Sequence, residues 1–192
     1  ARLIGQPVPP LFVDRLPPPC LDLDITGIQA IGNALRVNRS LTSLNVCSND
    51  ITGEAARELA TVVLGKQNLE TFCEIPLKDL RSDSLNELNL QHKGVGVPGA
   101  LVLAELLRTV SGSLTAIELR FNNLGDEGWG AIFAGICGNK DSKITSIDAS
   151  HEYIGPGGAE LIGEALRTSV NASLTVVNVL RNSLDTDSAK ML

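Results

Sequence analysis

The sequence predicts an α/β solenoid in which a concave parallel sheet is backed by convex helices. The main observation is an internal repeat, because the segments that begin at Leu41, Leu85, Leu114, Ile144 and Leu174 align without gaps. From Leu85 onward the starts lie 29, 30 and 30 residues apart. A unit of this length cannot bury its apolar side alone, so its copies must stack against one another.

Two hydrophobic periods within each unit identify its elements as a strand, a tight turn and a helix. In one unit, Ile117 and Leu119 alternate as the residues of a strand do. A helical pattern follows the turn, as in residues 158–166, where Ala159 and Ile162 fall on one face. Each unit therefore contributes one strand to the sheet and one helix to the outer layer.

The repeat pattern divides the chain into two regions. Residues 1–19 hold six of the nine prolines and are predicted to form a Pro-rich arm, whereas residues 20–192 are predicted to form a repeat domain of about six units. Within that domain, residues 20–40 are a degenerate copy and residues 69–84 are an irregular insert. The last unit ends at Leu192 inside its predicted helix. We therefore expect either a fragment of a longer array or another element that covers this end.

The repeated motif is L-x-x-L-x-L-x-x-N-x-[IL]-G, followed by G-A-x-x-[LI]-x-x-[AL]-L. Over residues 41–192 it resembles the ribonuclease-inhibitor-like class of leucine-rich repeats, which also occurs in the sensor regions of nucleotide-binding immune receptors. Residues 72–90 depart from the motif and resemble a short insert of long leucine-rich-repeat proteins from single-celled eukaryotes. The resemblance implies that the concave sheet binds another protein and that the chain is not an enzyme.

Composition and charge exclude several classes of protein. Of the 192 residues, 43% are hydrophobic and 20% are charged, which is typical of globular proteins and not of disordered or collagen-like ones. Sixteen basic and 22 acidic side chains give a net charge of -6, which argues against nucleic acid as the main partner. No stretch reaches the roughly 18 apolar residues that a membrane-spanning helix needs.

Cysteine usage indicates a reducing compartment. The four cysteines are Cys20, Cys47, Cys73 and Cys137. They lie far apart and include no Cys-x-x-Cys pair, so the sequence predicts neither a disulfide framework nor a zinc site. We expect a cytoplasmic protein, with a secreted or organellar location as the alternative. Two glycosylation sequons, at Asn38 and Asn171, each precede a Leu-Thr pair, which indicates a structural role for these asparagines.

Side chains between the repeated leucines are predicted to point away from the helices and to line the concave face. The candidate partner-binding residues on this face are Asn45, Glu87, Asn89, Glu118, Arg120 and Asp148. Neighbouring parallel strands lie about 4.8 Å apart, so Glu118 and Asp148 should be neighbours, and two like charges this close need a cation. In one interpretation Arg120 supplies that cation within the chain. In the other, the acidic stripe of Glu87, Glu118 and Asp148 steers a partner protein that carries a basic patch.

The residue at which each unit leaves the sheet forms a second candidate surface. This eighth position of the motif carries Ser48, His92, Phe121, His151 and Arg181. We select His92, Phe121, His151 and Arg181 as candidate partner-binding residues, because aromatic and arginine side chains often dominate protein interfaces. The alternative interpretation is that they are solvated loop residues.

The pattern gives little support to catalytic or metal sites. Cys47 and His92 could act as a nucleophile and its base, but the irregular insert separates their units. His92, His151 and Asp148 also come from separate units, unlike the ligands of a compact metal motif. The glycines fit turns better than a phosphate-binding loop. The sequence therefore predicts no catalytic residue, no metal and no cofactor.

Three positions depart from the repeat. The ninth position is an asparagine in Asn49, Asn122 and Asn182. Its amide is expected to bond the main chain at the turn and to stack into a ladder. Lys93 and Glu152 replace this asparagine in two units, where we expect looser turns. Trp129 replaces an alanine of other units; we expect it to be buried by local repacking, with an exposed contact patch as the alternative.

Two interpretations compete for the Pro-rich arm. Prolines favour extended conformations, and Leu11, Phe12 and Val13 give the arm an apolar character. The arm either folds back over the first repeat as a cap or docks on a second protein. We favour the cap, because something must cover the open N-terminal end of the array.

These patterns favour a non-catalytic module that holds another protein with its concave strands and adjoining loops. The alternative is a structural subunit that is built permanently into a larger assembly through its ends and its Pro-rich arm. A thiol enzyme is the third class, and it predicts one unusually reactive cysteine.

Overall fold

Strands and helices alternate along the chain in the computed structural model, which describes residues 11–12, 25–110 and 112–187. The strands are β1 Leu11–Phe12, β2 Ser43–Asn45, β3 Thr71–Phe72, β4 Ile75–Pro76, β5 Glu87–Asn89, β6 Ala116–Glu118, β7 Ser146–Asp148 and β8 Val176–Asn178. The helices are α1 Ile25–Val37, α2 Gly53–Leu64, α3 Leu77–Arg81, α4 Gly96–Leu107, α5 Gly125–Cys137 and α6 Pro156–Arg167. This order confirms the predicted α/β solenoid.

The four strands β5 to β8 form one parallel sheet in the predicted register. The second leucine position of each unit lies beside its counterparts, with Leu88 opposite Ile117, Ile117 opposite Ile147, and Ile147 opposite Val177. The first three of these side chains are buried beneath the helices, at 4% exposure or less. Stacking of equivalent residues is therefore the basis of this half of the molecule.

The expectation of a single continuous sheet is wrong. The alignment of the units gives Leu44 the same position as Leu88, but its strand β2 belongs to a separate sheet in which Leu44 lies opposite Phe72 of β3. The cause lies in the irregular insert, where β4 turns back antiparallel to β3 and ends the first sheet. An antiparallel strand reverses the chain direction at the sheet edge, so the parallel array resumes only at β5.

The reversal between β3 and β4 is a two-residue turn formed by Cys73 and Glu74. Both residues have positive φ angles, of 47° and 64°. Two consecutive left-handed residues characterise the type I′ turn, whose twist matches that of an antiparallel hairpin. The insert of residues 69–84 thus adds a hairpin and the short helix α3 in place of a regular unit.

The structure describes Leu11 and Phe12 from the predicted N-terminal arm. They form β1, which pairs in parallel with β2 through Leu11 opposite Leu44 and Phe12 opposite Asn45. The degenerate copy at residues 20–40 provides α1 between these two strands. The six prolines of the arm and Cys20 lie outside the described residues. Capping by the arm remains a prediction.

The helices pack side by side on the outer layer in the order α1, α2, α4, α5 and α6. The face of α6 that we predicted to be apolar, with Ala159 and Ile162, is buried. Across the described ranges, no helix combines the length and the apolar character that crossing a membrane requires.

The two sequon asparagines before the strands bond main-chain atoms, locally at Asn38 and in the preceding unit at Asn171. The Asn38 side-chain oxygen accepts from the Leu41 amide at 2.8 Å. The Asn171 amide nitrogen donates to the carbonyl oxygens of Ile136 and Asn139, at 3.1 and 2.6 Å, where α5 ends. Both sequon asparagines therefore have the structural role that their position indicated.

Two ninth-position asparagines, Asn122 and Asn182, bond their units to the one before, whereas Asn49 bonds the main chain of its own turn. The Asn122 side-chain oxygen accepts from the main-chain amides of Lys93 and Val95, at 3.0 and 3.2 Å. The Asn182 oxygen accepts in the same way from Glu152 and Ile154, both at 3.0 Å. This confirms the predicted ladder, and it holds the Lys93 turn in place through Asn122.

Glu152 contradicts the expectation of a looser turn. Its carboxylate is fully buried and takes the place of the asparagine oxygen, because it accepts from the main-chain amides of Asn122 and Leu124. Burial raises the pKa of Glu152, and the hydrogen bonds from these amides and from the Trp129 indole oppose that rise. The longer side chain therefore tightens the turn instead of loosening it.

Trp129 is the partner of this carboxylate. The indole is fully buried, as we expected, and its nitrogen donates to the Glu152 carboxylate at 3.2 Å. A glutamate carboxylate can accept more hydrogen bonds than the single side-chain oxygen of the asparagine that it replaces. The Trp129 indole N–H is the additional donor. The two departures from the repeat thus compensate each other across neighbouring units.

Close packing of α4 and α5 depends on Gly135. A methyl group at this position would collide with the main-chain carbonyl of Ala104 on α4, which cannot move without shifting the helix. Gly32, in the interior of α1, has its nearest neighbour, Val62 Cγ2, at 3.9 Å from an added methyl group. One helical glycine is therefore required by packing and the other is not.

We expect Gly135→Ala and Gly32→Ala to change stability in opposite directions. Gly135→Ala should lower the free energy of unfolding by about 1–3 kcal/mol because it overpacks the helix interface. Gly32→Ala should raise it by about 0.5–1 kcal/mol because alanine favours the helix. Urea denaturation of both variants measures the two effects. Equal effects would contradict the proposed contact at Ala104.

A double-mutant cycle tests the pairing of Trp129 with Glu152. Trp129→Phe should destabilise the natural chain by about 2 kcal/mol, since it removes a hydrogen bond to a buried carboxylate. In a Glu152→Asn background, which restores the ladder residue, the same change should cost less by about 1 kcal/mol or more, because the indole donor then has no carboxylate to meet. Urea unfolding of the four proteins gives the coupling energy, and additive effects would contradict the pairing.

Candidate functional site

The predicted concave residues lie on neighbouring strands of the second sheet. In the fifth position of the motif, Asn89 lies opposite Glu118, Glu118 opposite Asp148, and Asp148 opposite Asn178. Glu87 lies opposite Ala116 on the same face and is exposed. The structure therefore places Asn89, Glu118 and Asp148 in one row and Glu87 two residues before Asn89 on the same face. We call these four residues the acidic row.

Amides of neighbouring strands hold the two central carboxylates. The Asn89 side-chain nitrogen donates to the exposed Glu118 carboxylate at 2.7 Å. Partial burial would raise the pKa of Asp148, but hydrogen bonds from Ser150 and the Asn178 amide, together with the Arg120 charge, hold it below its ordinary value. Asp148 therefore stays ionised at neutral pH although it lies beside Glu118.

Arg120 lies beside the acidic row, and its charge acts on Asp148. Its guanidinium donates from Nη2 to the Gln91 side-chain oxygen at 2.7 Å. The Nε atom is buried and has no hydrogen-bond partner within the described ranges. The hydrogen bond of Arg120 thus goes to an amide, while its charge favours the ionised form of the nearby Asp148 carboxylate.

The fifth position also has a structural role that sequence reasoning missed. The side-chain oxygen of this residue accepts from the main-chain amide two residues later, at 2.9 Å in Asn45, 3.1 Å in Asn89 and 2.9 Å in Asp148. This local bond is the Asx turn by which asparagine and aspartate end an extended segment. The signal was present in the sequence, because the position carries asparagine or aspartate in every regular unit except that of Glu118.

Asn45 does not join the acidic row. Its strand belongs to the first sheet, where the Asn45 amide nitrogen donates to the Glu74 carboxylate at 3.1 Å. Glu74 lies in the hairpin turn of the irregular insert and is exposed. The first sheet thus presents its own acidic side chain, which the repeat pattern could not reveal.

The loop edge contains three stacked rings. His92 and Phe121 stack with their centroids 4.2 Å apart and their planes 9° apart. Phe121 and His151 stack at 4.2 Å with an angle of 25°. Three consecutive units therefore form one column of rings, which we call the ring column, and its middle member Phe121 is 37% exposed.

A shared backbone conformation positions the eighth-position residues. Ser48, His92, Phe121, His151 and Arg181 all have φ between 57° and 63°. This left-handed region is unfavourable for residues other than glycine and asparagine, by about 1–2 kcal/mol. The repeat imposes the same turn in each unit, so successive side chains leave the sheet in parallel and their rings can stack. Arg181 follows His151 along this edge and is exposed.

The last described strand exposes apolar side chains. Val176 and Leu180 are 55% and 71% exposed, and Val177 is partly exposed although its counterparts are buried. A groove of about 490 Å³ lies along this strand, lined by Val177, Asn178, Val179, Leu180, Arg181, Asn182 and Leu184.

The thiol considered for catalysis is half-buried. The neighbouring Cys73 lowers the pKa of Cys47, whereas burial and the Glu74 charge oppose this effect. His92, the base that we considered for Cys47, stacks on Phe121. In the part of the chain that the structure describes, no three His, Cys, Asp or Glu side chains cluster in a way that could hold a metal ion.

Comparison with known proteins identifies the repeat. A family model described as "Leucine Rich repeat" matches residues 37–60 and 111–133. NACHT, LRR and PYD domains-containing protein 14 of Mus musculus is 29% identical over 171 residues, which are 89% of this chain. The chain spans 15% of the length of that relative. The solved tropomodulin C-terminal domain of Caenorhabditis elegans aligns with 85% of this chain and 87% of its own, at 17% identity and a TM-score of 0.43.

The family model matches two of the segments in which the structure shows the repeated strand, turn and helix. The ladder of ninth-position side chains links the units of the second sheet in the register that the motif predicted. The two matched segments are therefore leucine-rich repeats, and the units between and after them repeat the same strand, turn and helix.

Proposed function

We propose that this chain is a non-catalytic module that binds a partner protein through its concave strands and the adjoining loop edge. Leucine-rich repeat domains are generally protein-interaction modules, and the partner and its mode of binding are our proposal. The observation that carries it is the position of the ring column at the edge of the acidic row, since both face away from the helices.

The acidic row supports a partner with a basic patch. Glu87 and Glu118 are exposed, and the lowered pKa of Asp148 keeps its charge at neutral pH. Arg120, the nearby cation, donates its short hydrogen bond to Gln91. Like charges on a concave face attract basic side chains and speed association at low ionic strength.

The ring column supports a contact at the loop edge. Its three residues occupy a left-handed conformation that a glycine would adopt without strain. The same conformation occurs at Ser48 and Arg181, so the repeat sets the backbone and the choice of rings sets the surface. Partly exposed, mutually packed rings are also the type of side chain that contributes most to interfaces.

Charge neutralisation tests the acidic row. The partner is first isolated by affinity purification from the native source and identified, and its affinity is then measured by surface plasmon resonance. Glu118→Gln with Asp148→Asn keeps the hydrogen bonds but removes the charges, and we expect about tenfold weaker binding at low salt. The matched control is Glu105→Gln with Glu160→Gln on the convex helices, which should bind normally. Unchanged affinity of the concave variant would refute the role of the acidic row.

The same assay tests the ring column. Phe121→Asn removes the middle ring while asparagine tolerates the left-handed backbone, so we expect about tenfold weaker binding without loss of stability. Ser48→Asn makes the corresponding change in the first sheet and should leave the affinity unchanged. Equal affinities of the two variants would exclude this edge from the interface.

The exposed apolar strand β8 favours a second candidate function, that of a structural subunit in a larger assembly. Val176 and Leu180 would then contact a permanent neighbour. Light scattering distinguishes the two functions. A free module should be monodisperse over a wide range of concentration, and a subunit should aggregate alone and be recovered only within a complex.

A further inference from the structure

Tyr153 is the single tyrosine of the chain, and it lies at the loop edge in the unit of β7. It is 74% exposed, against 37% for Phe121 in the ring column. Within the described ranges its ring stacks on no other ring. Tyr153 is therefore an aromatic side chain that the packing of the chain does not use.

The backbone conformation at Tyr153 disfavours a tyrosine. Its φ angle is 58°, in the left-handed region. Tyr153 is the tenth residue of its unit, and this tenth position is also left-handed in three other units, where it carries Asp50, Gly94 and Asn123. Glycine, asparagine and aspartate tolerate the left-handed region, whereas a bulky side chain in it lowers stability. The repeat thus sets the backbone at this position, and the choice of tyrosine works against stability.

Packing around Tyr153 does not offset that loss. The tenth positions of the preceding and following units carry Asn123 and Ser183, which have short side chains and are themselves exposed. Most of the phenol ring is therefore accessible to a group from another molecule. A ring that is exposed and held in an unfavourable backbone conformation is characteristic of a contact residue.

The charges around this turn favour a cationic group on the ring. Asp148 of the acidic row ends the strand that leads into the turn. Beyond Tyr153, the Gly155 amide donates to the Asp126 carboxylate at 2.7 Å. Arg181, the exposed cation of the next unit, lies on the row of the ring column and not at the tenth position. The face of an aromatic ring attracts cations, and a planar guanidinium can also stack on it.

We propose that Tyr153 selects an arginine of the partner protein, with its phenol ring stacked on the guanidinium group and the adjoining carboxylates of Asp126 and Asp148 attracting the charge. This inference rests on the proposed binding of a basic partner, and it adds the residue that recognises the partner and the side chain that is recognised. Its basis is an exposed ring at a backbone position that disfavours it, in a turn flanked by carboxylates.

Fluorine NMR of the full-length chain labelled with 3-fluorotyrosine tests the contact. Because the chain has one tyrosine, the label gives one resonance. We expect hexa-arginine to shift this resonance until it saturates, with about tenfold higher affinity than hexa-lysine, which carries the same charge without a planar group. No shift with hexa-arginine, or equal affinities of the two peptides, would overturn the proposal.

Variants at the tenth position separate recognition from folding. By titration calorimetry, Tyr153→Asn should bind hexa-arginine about tenfold more weakly, and its urea midpoint should rise because asparagine tolerates the left-handed backbone. Tyr153→Phe keeps the ring and should bind normally. Asn123→Gly, the matched control one unit earlier, should also bind normally. A lower urea midpoint of Tyr153→Asn, or an unchanged affinity, would refute the role of Tyr153.

The same titration distinguishes this inference from the proposed function. Glu118→Gln with Asp148→Asn should weaken the binding of both peptides, because it removes charges that attract any basic group. If this variant binds more weakly and Tyr153→Asn does not, the role of Tyr153 is wrong and the binding of a basic partner stands. If neither variant binds more weakly, both proposals are wrong.

Discussion

The stacking of this molecule depends on one interaction, the acceptance of two main-chain amides by a side-chain oxygen of the following unit. Asn122, Glu152 and Asn182 make this bond in three successive units. Because each oxygen satisfies donors that would otherwise be buried without a partner, a slip between units would leave those amides unpaired at a cost of about 1–3 kcal/mol each. The register of β5 to β8, and the position of every side chain on the concave face, follow from this constraint.

Because the units are held in register, the same backbone conformation recurs at regular intervals and its side chains form a continuous surface. Each unit leaves the sheet through a left-handed residue, and identical spacing places these residues at equal intervals. The rings of successive units can therefore stack with their centroids 4.2 Å apart, as they do in His92, Phe121 and His151. The spacing of the units is sufficient for this stacking. The acidic row is produced in the same way, one strand at a time. Both candidate surfaces are thus consequences of periodicity and not of a local pocket.

Much of the fold followed from the sequence, because the apolar positions repeat with the register that Ile117 and Ile147 show in the sheet. The break in the sheet could not be predicted, since the Cys73–Glu74 turn lacks the asparagine and glycine by which such hairpins are recognised.

The pairing of Trp129 with Glu152 also escaped prediction. Each residue was visible as a departure from the repeat, but they lie in different units, and only packing shows that the indole meets the carboxylate. On the concave face, the sequence indicated which residues are neighbours, and it could not show that Arg120 bonds Gln91.

The antiparallel strand β4 has a consequence for how the molecule unfolds. Strand pairing stops at β4 and resumes at β5, whereas the helical layer continues from α2 to α4. In repeat proteins, cooperativity passes from unit to unit through the interfaces of nearest neighbours. Here the interface at the insert relies on side-chain packing and lacks a shared ladder of backbone hydrogen bonds. We therefore expect the boundary between the two sheets to be the place where cooperative unfolding is interrupted, with one cooperative unit on each side of it.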